Sequence, residues 1–203
     1  MAKTEKLDLY KKHKDEYVAP KAPTLIHVGP AGYLAIQGRG EPGSPEFEAK
    51  MKAMYSMAFT IKMASKFAGR DYKVCHLEGL WWGKRKGGDF MRLPRSQWNW
   101  SLMIRVPEFV TQRHLAEALS ALKQKGKGES VDQVKLERIE EGRCVQVLHV
   151  GPYADEPETI AVMKAFADEH GLKSHGLHHE IYLSDPRRVP PQRLRTLLRQ
   201  PVG

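Results

Sequence analysis

The sequence predicts an α+β fold: two modules of like plan share one antiparallel sheet, with a ligand cleft where they meet. Three observations lead there. Both halves run strand, glycine-rich turn, long helix, then a strand bearing a glutamate. The helical stretches carry apolar residues at a period near 3.6, and the strand stretches alternate or run apolar. Two equivalent modules in one sheet bring matching strands together near a pseudo-twofold axis, and ligands commonly bind at such junctions.

Taken in order, residues 1–22 form a charged, helical arm ending at Pro20 and Pro23. Residues 24–40 are extended and lead into Gly38-Arg39-Gly40. Ser44 and Pro45 open a helix as N-cap and first helical residue. Phe47, Met51, Met54, Tyr55, Ala58 and Ile61 make its apolar face, and Gly69 ends it. Residues 72–82 read as a strand, followed by a Gly/Lys/Arg loop to Arg95. Residues 98–104 alternate like a half-buried strand. Residues 107–125 supply a connecting helix and 126–130 a loop. Residues 134–150 hold two strands hinged at Glu141-Gly142. Asp155-Glu156-Pro157-Glu158 resembles a capping box at a helix start. Ile160, Met163, Phe166 and Ala167 form that helix's inner face, and Gly171 stops it. Residues 178–183 form a strand, and 190–199 read as a last short basic helix. The identical His-Val-Gly-Pro at 27–30 and 149–152 is not the module repeat, because aligning it sets a strand against a helix.

A length of 203 residues suits one domain with a sizeable core. The 33 basic and 24 acidic residues leave a net charge of +9, concentrated in residues 3–14, 84–95, 123–127 and 187–199. No helix-turn-helix, zinc-finger spacing or RNA-binding aromatic motif accompanies these patches, which argues for solvated loops and against nucleic acid as a partner. No apolar run approaches the ~20 residues that span a bilayer. The charged N-terminus lacks a signal-peptide core, so a cytoplasmic protein without membrane contact is expected. Cys75 and Cys144 lie in apolar runs and read as a buried, reduced pair. His149, His178 and His179 do not suggest metal, since zinc needs three or four convergent ligands and adjacent strand histidines face opposite ways. Phosphate-loop, dinucleotide and serine-elbow motifs are absent, so no cofactor is expected.

Glu78 and Glu180 each stand among aromatic and aliphatic neighbours in a strand-like run. Burial of a carboxylate favours its neutral form unless a partner compensates. Alternation puts Glu180 with Tyr182, and Ile181 with Leu183 opposite. Glu78 shares its side with Leu80 and Trp82, against Leu77, Gly79 and Trp81. Glu180 reads as a general base or cation-binding carboxylate, or else as a structural partner of Arg187 or Arg188. Glu78 reads as its first-module equivalent, or as a core-edge glutamate. Should the two converge, repulsion would raise one pKa and split them into acid and base. Tyr55, Trp81, Trp82, Trp98, Trp100, Tyr153 and Tyr182 could stack on a flat ligand or belong to the core. Trp82, Tyr153 and Tyr182 are the ones expected in the cleft. Lys62 reads as a solvated lysine.

Three stretches carry a family resemblance. They are Tyr72-Lys73-Val74 leading to Leu77-Glu78-Gly79-Leu80-Trp81-Trp82, the run from Glu141 through Gly151-Pro152-Tyr153, and His178-His179-Glu180-Ile181-Tyr182-Leu183-Ser184-Asp185-Pro186-Arg187-Arg188. Over nearly its whole length the chain resembles the GyrI-like small-molecule-binding family, named for gyrase-inhibitory proteins and related to effector domains of multidrug-responsive regulators. The resemblance implies a single domain over residues 1–203. It would hold two β-α-β-β modules, 24–105 and 106–203, behind the 1–22 arm, with long helices on one face and an aromatic-lined cleft. The Glu-Gly-Leu-Trp-Trp pattern is similar to a stand-alone branch, some members of which open the strained cyclopropane of DNA-alkylating natural products. That implies a detoxifying hydrolase with Glu180, Glu78 and Tyr182 catalytic, and with Tyr55, Trp81, Trp82, Trp100, His149, Tyr153 and His179 on the ligand. The expected partner is an aromatic or cationic small molecule. A non-catalytic binder or sensor of drugs and lipophilic cations is the alternative, with a gyrase-directed interaction a minor third.

Overall fold

Capping and alternation set the elements of the computed structural model, which describes residues 6–85, 90–127 and 130–203. Asp8 caps α1 (Leu9–Lys12), and a 3₁₀ turn Lys14–Glu16 follows. β1 (Thr24–Val28) and β2 (Ala31–Arg39) lead to α2 (Pro45–Phe67), where the Ser44 hydroxyl accepts from the Phe47 N–H at 3.3 Å. Next come β3 (Glu78–Trp82), β4 (Asn99–Val106), α3 (Gln112–Gln124), β5 (Lys135–Ile139) and β6 (Gly142–Val150). The chain closes with α4 (Glu156–Glu169), β7 (His178–Tyr182) and β8 (Arg195–Pro201).

All eight strands form one antiparallel sheet in the order β1-β6-β8-β7-β3-β4-β2-β5. Exchanging the halves reverses this order onto itself, so a pseudo-twofold axis runs between β3 and β7. The halves also interlock. β1 pairs with β6 of the second half, and β5 pairs with β2 of the first. At the centre Gly79 is paired with Glu180. A symmetry that keeps both long helices on one face therefore matches Gly79 with Glu180, Trp81 with Tyr182, and Glu78 with His179.

Strand alternation divides the side chains between two faces. Leu34, Ile36, Trp100, Leu102 and Ile104 pack under α2, and Val145, Val147 and Leu198 under α4. α2 lies on β2 and β4, and α4 on β6, so β3 and β7 run in the groove between them. The opposite face carries Tyr33, Ala35, Met103 and Leu80, together with the charged residues Arg105, Glu78, His179 and Arg199.

Three expectations need correction, and one, the extended 24–40 stretch, is refined. The 190–199 stretch is not a helix: a 3₁₀ turn, Pro191–Arg193, leads into β8, whose Thr196 to Arg199 side chains alternate between the two buried faces. The extended 24–40 stretch is two strands, because Pro30 has no N–H to continue the ladder. Only Glu78–Trp82 of residues 72–82 forms a ladder strand, while Tyr72 makes one bridge to Leu7. The N-terminal arm is not a solvated appendage. The Tyr10 and Tyr17 rings meet edge-on at 4.4 Å, and Glu16 pairs with the buried Arg105. Of the basic stretches and loops read above, residues 1–5, 86–89 and 128–129 lie outside the described residues.

Candidate active site

Gly79 is the pivot of the groove floor. A Cβ there would lie 2.9 Å from both Trp81 Nε1 and the Tyr182 hydroxyl. Glycine thus makes room for a side-chain chain that crosses from β3 to β7. Trp81 Nε1 donates to the Tyr182 hydroxyl at 3.2 Å, and Tyr182 donates to Glu180 Oε2 at 2.7 Å. Burial, then the Glu180 charge, pushes the Tyr182 phenol well above its usual range, so it stays a donor. Tyr153 meets Tyr182 edge-on at 5.9 Å. His178 Nε2 stands 3.5 Å from Glu180 Oε1.

A second buried carboxylate, Glu156, lies within electrostatic reach of this one. Glu156 opens α4, and a built turn delivers it. The Pro152 carbonyl can only accept, so His149 Nε2 donates to it at 3.1 Å. Nδ1 of the same ring meets the Thr159 hydroxyl at 2.8 Å, tying the turn to the first turn of the helix. Glu156 and Glu180 are 6% and 7% exposed. Burial first, then the Glu180 charge, pushes Glu156 up to about 9, against smaller opposing effects of Thr196 and Arg95. Burial and the neighbouring carboxylate thus favour the protonated form of Glu156 at neutral pH. Glu156 Oε1, the Thr196 hydroxyl and His178 Nε2 are buried without a well-formed hydrogen bond among the described residues. These contacts are loose: Thr196 acts on Glu156 and His178 Nε2 lies 3.5 Å from Glu180 Oε1, which leaves hydrogen-bonding capacity for water or a ligand.

Glu78 is elsewhere. Its neighbours across the ladder, Met103 and Ile181, put it on the opposite face from Glu180. There His179 bridges Glu78 Oε2 and Glu141 Oε1, each at 2.9 Å. Carboxylates accept only, so both ring nitrogens donate and the ring is cationic. Burial opposes that charge, but Glu141 and Glu78 raise the ring to about 9. Glu141 would be raised by burial, yet His179 and Arg199 hold it down to about 2. Arg199 donates to Glu141, Gln146 and the Glu16 carbonyl, and Arg105 donates to Glu16 and the Tyr17 hydroxyl.

The structure thus brings Glu180, Tyr182, Trp81 and Tyr153 together, and not Glu78 or His179. Trp82 projects to the opposite face with Leu80, because a one-residue step along β3 changes sides. Trp100 is fully buried beneath Gly38, where a Cβ would overlap its ring. His149 has both ring nitrogens occupied and serves as the pin of the α4 turn. Tyr55 stacks on Phe59 along α2, within electrostatic reach of Arg187 and Asp185. Lys62 pairs with Asp71 at 3.1 Å. Among the described residues, no three His, Cys, Asp or Glu side chains are placed to hold a metal ion. No helix among them is long and apolar enough to cross a membrane. Glu156 is the residue that sequence reasoning missed, having been read only as part of the capping-box-like run Asp155-Glu156-Pro157-Glu158 at the helix start.

No curated protein matches the chain. A solved structure of an uncharacterized conserved protein from Listeria innocua is 37% identical, with a TM-score of 0.90 over 98% of this chain and 100% of that one. A hydrolase from the same organism is 36% identical, with a TM-score of 0.86 and the same coverage. The C-terminal domain of EcmrR, at 12% identity and a TM-score of 0.58 over 89% of this chain and 96% of that one, shares the fold. The description "GyrI-like small molecule binding domain" matches residues 22–202, which takes in every strand and both groove helices. The chain belongs to the GyrI-like small-molecule-binding family.

Proposed function

We propose that this protein is a hydrolase that adds water to electrophilic aromatic compounds, opening a strained cyclopropane conjugated to a carbonyl and so disarming a DNA-alkylating agent. The observation that carries this reading is the buried pair Glu180 and Glu156, in which Glu156 is pushed up to about 9 and Glu180 accepts from Tyr182. Similarity to a hydrolase from Listeria innocua supports it.

Glu180 takes a proton from water as the water oxygen bonds to the ring carbon. The carbon–carbon bond breaks, its electrons move into the conjugated carbonyl, and Glu156 supplies a proton to that oxygen. Atoms balance as substrate plus one water, and a third proton transfer, from Glu180 to Glu156 through solvent, resets the pair. Tyr182, held by Trp81, keeps Glu180 Oε2 in place and leaves Oε1 for water. Trp81, Tyr153 and Tyr182 offer ring faces and edges to the aromatic substrate.

Mass spectrometry of a cyclopropane-bearing alkylating compound, incubated with wild type and with Glu180→Gln, tests this. A gain of one water with wild type, lost in the variant, is expected. Full turnover by the variant sinks the assignment of Glu180.

The same two carboxylates beside aromatic rings also suit a lipophilic cation held without turnover. A bound cation would stabilise both ionised carboxylates and drive the Glu156 proton off. Proton release on binding, with the ligand recovered intact, would favour that second reading.

A further inference from the structure

A cavity of about 230 Å³ lies beside the carboxylate pair, between α4 and the segment at Phe90. Trp81, Phe90, Ile160 and Met163 form its walls, His178 stands on its floor, and Lys164 is on its rim. It adjoins the candidate active site through two residues that touch both. Trp81 donates to Tyr182, and His178 approaches Glu180. His178 is 6% exposed, and its Nε2 makes no well-formed hydrogen bond among the described residues, only the 3.5 Å approach to Glu180. An apolar cavity of roughly 150 Å³ already holds a benzene ring, so this one has room for a fused or linked pair of rings. Its charge differs from that of the neighbouring site. Among the described residues its lining includes Lys164 and no carboxylate.

We propose that this cavity is a second subsite that takes a flat apolar ring system, neutral or anionic, carried on the same molecule whose reactive end reaches Glu180. The inference rests on the proposed function only for what happens at Glu180; the subsite itself stands on the cavity. Its ligands are therefore elongated, with a ring for the carboxylate pair and another for the slot. A compact compound forgoes the second contact. A cationic ring in the slot meets Lys164 with no counter-charge among the described lining residues.

Two fluorescent probes that brighten in apolar surroundings separate the possibilities: neutral phenylnaphthylamine and its anionic relative anilinonaphthalene sulfonate. Wild type should bind one of either probe per chain. Ile160→Trp, which fills the slot from a half-buried position on α4, should weaken both at least tenfold. Lys164→Glu alters only an exposed side chain, so it folds. It should weaken the sulfonate about tenfold and leave the neutral probe unchanged. A compound turned over, or bound, at Glu180 should displace the probe. Probe binding that survives Ile160→Trp, or a sulfonate indifferent to Lys164→Glu, overturns the subsite. Probe bound in the slot but not displaced overturns its sharing of one ligand with Glu180. Should the cyclopropane compound pass unchanged while the probes behave as expected, the hydrolase reading fails and the subsite stands.

Discussion

At the scale of single residues, the chemistry turns on a proton held between two buried carboxylates. Glu156 is pushed up to about 9, so it remains an acid across the neutral range and loses its proton only as the pH climbs through that value. Activity should therefore fall on the alkaline side near pH 9, measured as kcat against pH. Glu156→Gln keeps the shape but cannot give up a proton, and general acid catalysis is typically worth ~10²–10⁴-fold. A drop in kcat of about that size, with the alkaline limb gone, is expected; an unaltered profile would remove Glu156 from the reaction. Glu156 was legible in principle. It falls in register with Ile160, Met163 and Ala167, the inner stripe of α4, so the helix period itself aims the carboxylate inward. Its place beside a proline at a helix start made the capping explanation sufficient, and hid the other.

Among elements, β7 does two jobs, because its side chains alternate. Glu180 and Tyr182 serve the groove, while His179 locks the opposite face to Glu78 and Glu141. His179 is raised above its ordinary 6.5 to about 9, so its stabilising contribution is complete below about 6.5 and is lost as pH rises towards 9. Glu156, raised from 4.5 by burial, adds a loss in the same direction that begins lower. Thermal melting should show wild type declining from about pH 4.5 upward, and Glu156→Gln declining only above about 6.5. Adding His179→Gln should lower the melting temperature and flatten that remaining slope. A slope that persists would assign it to another group. The pairing of Gly79 with Glu180 also explains the Glu-Gly-Leu-Trp-Trp run. Glycine clears the path for the Trp81–Tyr182 hydrogen bond, and Trp81 takes the place in the first half that Tyr182 holds in the second.

For the whole molecule, the N-terminal arm is part of the core rather than an addition to it. The family match begins at residue 22, yet Glu16 and Tyr17 reach the buried Arg105, Glu78 and Arg199 from outside that span. Removing one partner of a buried ion pair costs about 3–5 kcal/mol. At roughly 2–4 °C per kcal/mol for a chain of this size, deletion of residues 1–22 should lower the melting temperature by about 10 °C. A change of only a degree or two would show that the arm contributes little. The interlocked first strands, β1 on β6 and β5 on β2, mean that neither half completes its own part of the sheet.

By itself the sequence determined the local structure: the Ser44–Pro45 helix start, the hinge before Gly142, and the shared side of Glu180 and Tyr182. Each follows from capping, glycine conformation or strand alternation, which act over a few residues. The pairing of Gly79 with Glu180, and not of Glu78 with Glu180, was decided only in three dimensions. Strand register is a contact between residues 101 positions apart, and one residue of slip exchanges every side chain between the faces. Fold class and the inward face of Glu156 were therefore legible, but the approach of Glu156 to Glu180 was not. Glu156 comes within electrostatic reach of Glu180 only because α4 packs over β6, two strands away from β7 in the same sheet, and that placement is a property of tertiary packing.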